Sequence, residues 1–436
     1  MKTDIRGRIG VIAAVAAVVA GATMATAPAA SAATTCAAAW AAGTAYTGGA
    51  TVSESGQNYR ANWWTQGDDP ATHAGATGSG QPWTSTGACT GGSTGGGTTT
   101  PGTGGGTTTP GTGTGTPGTA SGFVFSPYKD VTANLDWNTN VMSTMVTGSR
   151  IPVAGGSTSL VATREPGLKA ITLAFATGTC GSENWGGVPA DAFASANINR
   201  LDSAGVNYIV STGGAAGAFT CSSGAGLEAF IARYATPHMI GVDFDIESGQ
   251  SAADVQALVA SAAQAQVKYP GLRFSFTLAT LAASDGSYGG LNATGSAVVS
   301  AIKASSLTHY TVNLMTMDFG RATTANCVLS GSTCDMGRST IQAVTNLQHT
   351  FAIPASKIEV TPMIGVNDAS DEVFSLADVD TVSTYAKQAG LAGVHIWSLD
   401  RDTPCASPTS TASPICNSVT GSTALAWTDR FLADLR

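Results

Sequence analysis

The chain has 436 residues, of which 43% are hydrophobic and only 11% are charged, and its net charge is −8 at pH 7. This length allows two or three domains with at least one large buried core. The acidic balance, without any cluster of Lys and Arg, excludes a typical nucleic-acid-binding protein. The only long apolar stretch lies at the N-terminus, which excludes a polytopic membrane protein.

Residues 1–32 have the pattern of a secretory signal peptide. A basic start precedes an apolar run over residues 9–21, and residues 30–32 read Ala-Ser-Ala, a small-x-small cleavage motif. A membrane anchor is the alternative interpretation, but the uninterrupted apolar run is too short to span a bilayer. We therefore expect a secreted, extracellular protein without membrane association after cleavage.

The chain has eight cysteines, an even number that predicts disulfides in an exported protein. Spacing alone does not determine their connectivity. The simplest arrangement pairs near neighbours in the sequence, which are Cys36 with Cys89, Cys180 with Cys221, Cys327 with Cys334, and Cys405 with Cys416. No spacing of Cys and His is that of a zinc site, and we expect neither a metal nor a cofactor.

Residues 33–90 are rich in aromatic side chains, namely Trp40, Tyr46, Tyr59, Trp63, Trp64 and Trp83. A domain of this size cannot bury so many large rings completely. We expect one or two rings in the core and one or two on the surface, where a flat ring face can stack on a sugar. Because adjacent strand residues point to opposite faces, one of Trp63 and Trp64 is expected in each position.

This segment resembles the carbohydrate-binding modules of families 5 and 12. The resemblance rests on Ala-Trp at 39–40, Tyr-Thr-Gly-Gly at 46–49 and the sequence YRANWWTQGDDP at 59–70. It implies a small β-rich module that binds chitin or cellulose. We predict chitin as the ligand, bound through Tyr59, Trp63, Trp64 and Trp83.

Residues 91–121 form a Gly/Thr/Pro-rich linker. The nonapeptide GGGTTTPGT occurs twice in tandem, at 95–103 and 104–112, and residues 91–120 contain no charged or aromatic side chain. Such a segment cannot bury enough apolar surface to fold, so we predict a disordered linker. Such a linker would let the small module stay bound to a surface while the large domain acts on the same surface.

In residues 122–436, eight short β-rich runs alternate with Ala-rich helical patterns such as 252–268 and 382–389. The runs are 123–128, 170–175, 208–211, 239–246, 273–278, 310–316, 357–362 and 393–397. This alternation predicts an α/β fold, specifically a (β/α)8 TIM barrel. A doubly wound open sheet is the alternative, but it usually has fewer strands, and no GxGxxG follows the first run.

Acidic and apolar residues alternate at 241–247, where the sequence reads GVDFDIE. Alternate side chains of a strand share a face, so Asp243, Asp245 and Glu247 would point into the barrel. Buried carboxylates are costly unless they share protons or bind something, and Glu247 falls at the catalytic end of the strand. A Ca²⁺ or Mg²⁺ site is the competing interpretation, but one strand alone cannot surround a cation.

The large domain resembles glycoside hydrolase family 18, the chitinases and their relatives. Asp243, Asp245 and Glu247 match the last three acids of the family's D-x-x-D-x-D-x-E motif on the fourth strand. The family's S-x-G-G, M-x-Y-D and final-strand Trp are matched by Ser211, Gly213 and Gly214, by Met315, Met317 and Asp318, and by Trp397. Two positions depart from the family: Ile240 replaces the first acid of the ladder, and Met317 replaces a Tyr that helps to hold the substrate acetamido group.

The resemblance implies a retaining, substrate-assisted chitinase. Glu247 would be the general acid and base, Asp245 would orient the acetamido group, and Asp243 would share a proton with Asp245. Trp397 would form the floor under the reacting sugar and Asp318 would contact the substrate or Glu247. Met315 and Met317 would shape the pocket, and Ser211, Gly213 and Gly214 would also lie at the substrate site.

The partners implied are chitin and N-acetylglucosamine oligosaccharides, bound by a monomer. Two alternatives stay open. One is an endo-β-N-acetylglucosaminidase acting on N-glycans, which the chitin-type module disfavours. The other is a catalytically silent barrel that binds chitin, which the presence of Glu247 disfavours.

Overall fold

The computed structural model describes most of the chain in segments. These are residues 34–42, 44–46, 50–61, 65–66, 68–75, 81–90, 115–120, 122–247, 249–369, 371–407 and 409–436. The predicted signal peptide, Trp63, Trp64 and the tandem repeat lie outside the described residues. The chain divides into two compact units, Met1–Pro101 and Gly102–Arg436.

The first unit is a small β-structure. Its main sheet has four strands in the order Thr34–Thr35, Trp83–Thr90, Gln57–Ala61 and Thr51–Glu54, and a second sheet pairs Ala45–Tyr46 with Thr65–Gln66. A disulfide joins Cys36 to Cys89, as the sequence predicts. The unit is therefore held both by a small core and by a covalent link between its two ends.

The core of this unit contains two of the rings predicted to bind chitin. Trp83 is fully buried, its indole N–H donates to the main-chain oxygen of Asp68 over 2.8 Å, and the ring of Tyr46 packs edge-on against it. Tyr59 is also buried, 7% exposed, and packs with Val52. The prediction that Tyr59 and Trp83 bind chitin is corrected accordingly, because neither ring presents a free face to a sugar.

The second unit contains nine strands in one parallel sheet. They are β1 (Val124–Phe125), β2 (Tyr128–Asp130), β3 (Ala170–Ala176), β4 (Asn207–Gly213), β5 (Met239–Asp245), β6 (Arg273–Ala279), β7 (Tyr310–Met315), β8 (Ile358–Thr361) and β9 (Gly393–Val394). Their order in the sheet is β1-β9-β8-β7-β6-β5-β4-β3-β2.

This sheet closes on itself, because β1 and β2 are two halves of one strand. The strand is interrupted at Pro127, which has no N–H to donate. Its first half pairs with β9, and its second half pairs with β3. The Tyr128 N–H still reaches the oxygen of Ile396 at 3.0 Å. When β1 and β2 are counted as one strand, the sheet is a closed barrel of eight parallel strands, which confirms the predicted (β/α)8 fold.

Helices separate the strands and pack on the outside of the barrel. They are α1 (Leu160–Thr163), α2 (Ala190–Ser203), α3 (Gly224–Tyr234), α4 (Ala252–Lys268), α5 (Ala293–Ala304), α6 (Met336–Phe351), α7 (Leu376–Ala389) and α8 (Ala426–Asp434), with 3₁₀ turns at Ala355–Lys357 and Leu399–Arg401. A capping box starts α4, since the Ser251 hydroxyl accepts from the Asp254 N–H and Asp254 accepts from the Ser251 N–H. The loop between the end of β5 at Asp245 and the N-cap of α4 at Ser251 is therefore only a few residues long.

The loops add short antiparallel and parallel pairs. They are Ser143–Thr144 with Ile151–Pro152, Gly178–Thr179 with Phe219–Thr220, Asn184–Trp185 with Val188–Pro189, Leu329–Ser330 with Thr333–Cys334, and Gly365–Val366 with Val373–Phe374. Three disulfides link loops beyond the carboxyl ends of the strands, with the near-neighbour pairing that the sequence predicts: Cys180–Cys221, Cys327–Cys334 and Cys405–Cys416. These disulfides stabilise the loops at the carboxyl-terminal face of the barrel, which is where active sites form in this fold.

The described end of the Gly/Thr/Pro-rich segment packs on the second unit. The Gly118 N–H donates to Met239 O at 2.9 Å, and the Ala120 N–H donates to Gly271 O at 3.1 Å. Both acceptors lie at the amino ends of barrel strands, so residues 115–120 contact the face opposite the active-site face. Among the described helices, none has the length and apolar character needed to cross a membrane.

Candidate active site

Strand β5 carries the acidic ladder into the barrel. All seven of its residues, Met239–Asp245, are buried. Val242 and Phe244 belong to the hydrophobic core, and the ring of Phe244 packs on Phe274 and Phe276 of β6. Since strand side chains alternate, Asp243 and Asp245 point to the barrel interior, and Glu247 follows just beyond the strand end.

Asp243, the deepest of the three acids, is enclosed by hydroxyl groups. Its Oδ1 accepts from Ser275 and Thr277, each at 2.7 Å, and its Oδ2 accepts from Ser211 at 2.6 Å and Tyr128 at 2.9 Å. Burial raises the pKa of this carboxyl, while these hydroxyl donors lower it. Four donors fill the roughly four lone-pair sites of an ionised carboxylate.

Asp245, in contrast to Asp243, has a carboxyl oxygen that makes no hydrogen bond. The residue is 5% exposed, and its Oδ1 has no hydrogen-bond partner among the described residues. Burial raises the pKa of this carboxyl well above its ordinary value, and the charges of Glu247 and Asp243 raise it further. Asp245 is therefore a neutral acid over a much wider pH range than a solvent-exposed aspartate.

Glu247 lies at the boundary between the barrel and solvent and is half-buried. Burial raises the pKa of its carboxyl, a backbone hydrogen bond from Ala215 lowers it, and the charge of Asp318 raises it. A carboxyl group with a raised pKa at a cavity wall can donate a proton to a ligand and take one back.

These acids border a cavity of about 720 Å³. Its aromatic part is formed by Trp397, Phe175 and Tyr128: the Trp397 ring stacks on Phe175 with 5.5 Å between centroids and meets the Tyr128 ring edge-on at 6.1 Å. Asp245, Glu247, Met315, Met317 and Asp318 line the same cavity. The structure thus brings six predicted site residues, including Trp397, to one surface.

Three predicted site residues do not belong to the described lining of the cavity but support residues that do or that hold the acidic ladder: Ser211, Gly213 and Gly214. Ser211 holds Asp243 through its hydroxyl. Gly213 has a φ of +89°, and an added Cβ would overlap the main-chain oxygen of Asp245. Gly214 has a φ of +82°, and a Cβ there would lie 2.8 Å from the Phe175 ring. The two glycines allow β4 to approach β5 and the aromatic wall closely.

The four hydroxyl donors around Asp243, here called the hydroxyl cage, are not all predicted by the sequence, and neither are the rings of Tyr128 and Phe175 beside Trp397. Ser275 and Thr277 alternate with Phe274 and Phe276 along β6, a pattern that could have marked them as inward-facing. Asn313 extends the cage, since its Nδ2 donates to the Tyr128 hydroxyl and to Thr277. Nothing local in the sequence indicates that Tyr128 or Phe175 lies beside Trp397.

The described residues contain no group of three His, Cys, Asp or Glu side chains arranged to hold a metal ion. Both carboxyl oxygens of Asp243 accept hydrogen bonds from hydroxyl donors. The carboxyl and hydroxyl groups of the site can transfer protons and position a ligand.

Comparison with known proteins supports both resemblances seen in the sequence. Residues 39–84 match the family model of carbohydrate-binding module family 5/12. A probable bifunctional chitinase/lysozyme from Escherichia coli (strain K12) is 27% identical over 84% of this chain and 45% of its own length. Endochitinase 11 from Metarhizium anisopliae is 29% identical over 48% of this chain and 42% of its own length. The chain thus spans less than half the length of these curated relatives.

Among solved structures, the catalytic domain of a hyperthermophilic chitinase from Pyrococcus furiosus is similar, with a TM-score of 0.54 and 24% identity. The alignment covers 74% of this chain and 97% of that chain. A mutant of active domain 2 of the same organism's thermostable chitinase, complexed with chito-oligosaccharides, has a TM-score of 0.55 at 24% identity, covering 74% and 96%. At this identity the likeness establishes the fold of the barrel.

Proposed function

We propose that this protein is a secreted chitinase, which hydrolyses β-1,4 bonds between N-acetylglucosamine units of chitin. The observation that carries the proposal is the ladder of Asp243, Asp245 and Glu247, which rises along one barrel strand into a cavity with Trp397 in its wall. The similarity to chitinases and the family 5/12 match give the substrate class its support.

The reaction proposed is a substrate-assisted hydrolysis that retains configuration. The oxygen of the 2-acetamido group attacks the anomeric carbon, while Glu247 gives its proton to the oxygen of the leaving sugar. Glu247 then accepts a proton from the water that opens the oxazolinium intermediate. The raised pKa of Glu247 supports this role, because the acid must be protonated when the substrate arrives.

Asp245 would orient the acetamido group by accepting its N–H at the free carboxyl oxygen, and this hydrogen bond would stabilise the positive charge that the acetamido nitrogen shares in the intermediate. Its unpartnered Oδ1 supports that role, since a buried polar atom without a partner is costly until a ligand supplies one. We place the proton of the Asp243–Asp245 pair on Asp245 in the resting enzyme. The resemblance implies a proton shared between the two carboxyl groups, whereas the four hydroxyl donors to Asp243 favour its ionised form, so in this proposal the proton stays on Asp245.

Trp397 would form the apolar face under the reacting sugar, backed by the stacked ring of Phe175. Met315 and Met317 would shape the cavity beside it, and Asp318 would act on the proton affinity of Glu247. The module at the N-terminus would bind insoluble chitin through Trp63 or Trp64, and the 91–114 segment would tether it.

Incubation with colloidal chitin, followed by mass spectrometry of the products over time, tests the proposal. The wild type should release N-acetylglucosamine oligomers, and Glu247→Gln should bind soluble oligomers while losing turnover by about 10²–10⁴-fold or more. Binding without products from the wild type would instead indicate a silent barrel. Release of N-glycans from glycoproteins, without products from chitin, would indicate an endo-β-N-acetylglucosaminidase.

A further inference from the structure

A cavity of about 390 Å³ lies at the amino face of the barrel, where the strands begin. Its wall includes Arg273, the first residue of β6, Tyr310, the first residue of β7, and Lys357, which directly precedes β8. Active sites of this fold form at the opposite face, where the strands end. This amino-face cavity is therefore separate from the site of the proposed hydrolysis.

The lining of the amino-face cavity is basic. Arg273, His309 and Lys357 belong to it, and no Asp or Glu is among the described residues of its wall. Burial lowers the pKa of His309, a backbone hydrogen bond at Pro270 raises it, and the positive charges of Arg273 and Lys357 lower it further. The fields of these two cations thus meet at the His309 ring.

Arg273 has a buried donor that is not used by the protein. The residue is 5% exposed, and its Nη1 donates to the main-chain oxygen of Ala392 at 3.2 Å and lies 2.9 Å from Oε1 of Glu359. Its Nη2 is buried without a hydrogen-bond partner in the part of the chain that the structure describes. A buried donor without an acceptor costs free energy, which an acceptor bound in the cavity would restore.

Glu359 neutralises one of the positive charges around the cavity. Burial opposes the ionisation of Glu359, but the charge of Arg273 and a contact with His395 outweigh it and lower the pKa of this carboxyl to about 2. Its Oε2 also accepts from the Thr311 hydroxyl at 2.8 Å. Glu359 is thus an ionised partner of Arg273, and the charge of Lys357 is left over.

Lys357 has no carboxylate within ion-pair distance among the residues that the structure describes. Its Nζ donates to the main-chain oxygen of Thr308 at 2.9 Å and lies 3.8 Å from the centroid of the Tyr310 ring. An ammonium group has three N–H donors, so two of them stay free for a ligand.

We propose that the amino-face cavity binds an oxyanion, a sulfate or phosphate group that is either free or carried on an apolar body. Arg273 would donate through Nη2 and Lys357 through its ammonium group, with the His309 ring beside the anion. Hydrogen bonds between charged partners are strong, and a guanidinium matches the geometry of such an anion. Phe123 and Leu391 line the same cavity and offer apolar surface to an attached ring.

The test is isothermal titration calorimetry of the full-length protein at neutral pH and constant ionic strength, with inorganic sulfate and phenyl phosphate as probes. The variant is Lys357→Gln, and the matched control is Lys303→Gln. Lys303 is exposed and does not line the cavity, and its Nζ also donates to one main-chain oxygen, that of Phe351 at 2.9 Å. Arg273 is left unchanged, because its removal would leave the charge of Glu359 buried without a partner.

The wild type should bind at least one probe at a single saturable site, and the ring signals of His309, assigned with His309→Gln, should shift in NMR spectra as that probe is added. Lys357→Gln should weaken binding by about 10-fold or more, the effect of losing a hydrogen bond to a charged group, while Lys303→Gln should bind like the wild type. Tighter binding of phenyl phosphate would support an ester as the ligand, and equal affinities would support a free ion. Absence of saturable binding of both probes, or unchanged affinity in Lys357→Gln, would overturn the inference.

Discussion

The hydroxyl of Tyr128 donates to Asp243 over 2.9 Å, although the two residues are 115 positions apart in the chain. The same hydroxyl accepts from Asn313 and contacts Thr277, so it links the cavity wall to the base of the acidic ladder. Burial and the charges of Asp243 and Asp245 raise the pKa of Tyr128 well above its ordinary value, which keeps it a donor at every working pH.

Replacing Tyr128 by Phe should lower kcat by about 10- to 100-fold, since a hydrogen bond to a charged group contributes roughly 1.5–3 kcal/mol. With one donor fewer, the pKa of Asp243 should rise, and the acidic limb of the pH–rate profile should move to higher pH. Asn313→Ala, which leaves all four donors to Asp243 in place, should move that limb less. An unchanged limb in Tyr128→Phe would show that the hydroxyl does not control the ladder.

Asp318 should set part of the alkaline limit of activity. The general acid must be protonated, so activity falls as pH rises through the pKa of Glu247, which burial and the charge of Asp318 raise. Asp318→Asn removes the repulsive charge, and the alkaline limb of kcat should therefore move to lower pH. Asp371→Asn is the control. A limb that moves to higher pH would contradict the assignment of Glu247 as the acid.

Glu165 should make the barrel less stable at alkaline pH. It is buried, its Oε1 has no partner within the described structure, and its pKa is about 8, raised by burial and then by Asp429 and Asp402. The folded state therefore holds a proton that the unfolded chain releases near its ordinary pKa of about 4.3, so the contribution of Glu165 to stability falls as pH rises from about 4.3 to about 8 and is lowest above that range. Glu165→Gln should have nearly the wild-type Tm at pH 5 and a higher Tm than the wild type at pH 9. An equal difference at both pH values would rule out this linkage.

The contacts of residues 115–120 with the barrel define where the module can be removed. Deletion of 33–114 should lower activity on crystalline chitin while barely changing activity on short soluble oligomers. Deletion of 33–120 also removes the bonds to Met239 and Gly271, and it should lower the Tm of the barrel as well. Equal loss on both substrates after the 33–114 deletion would mean that the module supports the barrel instead of targeting it.

In the full chain, Trp63→Ala and Trp64→Ala should differ in how strongly the protein adsorbs to insoluble chitin, and the variant with the larger loss identifies the exposed ring.

The barrel and its acidic ladder follow from short-range patterns. Alternation along 241–247 is sufficient to place Asp243 and Asp245 inside, because the side-chain period of a strand is two. The cage around Asp243 depends instead on Tyr128, Ser211 and Ser275, which lie on three other strands. No local sequence pattern predicts that these three side chains contact the same carboxylate. A tryptophan at position 83 is compatible with both a core position and a sugar-binding surface, and only the packing of the small sheet, which buries Trp83, decides between them.

The stereochemistry of the first product tests the central claim most directly. Attack by the acetamido oxygen inverts the anomeric carbon once and water inverts it again, so the new reducing end must be the β anomer. NMR spectra recorded within the first minutes on an N-acetylglucosamine tetramer or longer oligomer, before mutarotation, should be dominated by the β signal. An initial excess of the α anomer would contradict the substrate-assisted mechanism and the roles given to Asp245 and Glu247.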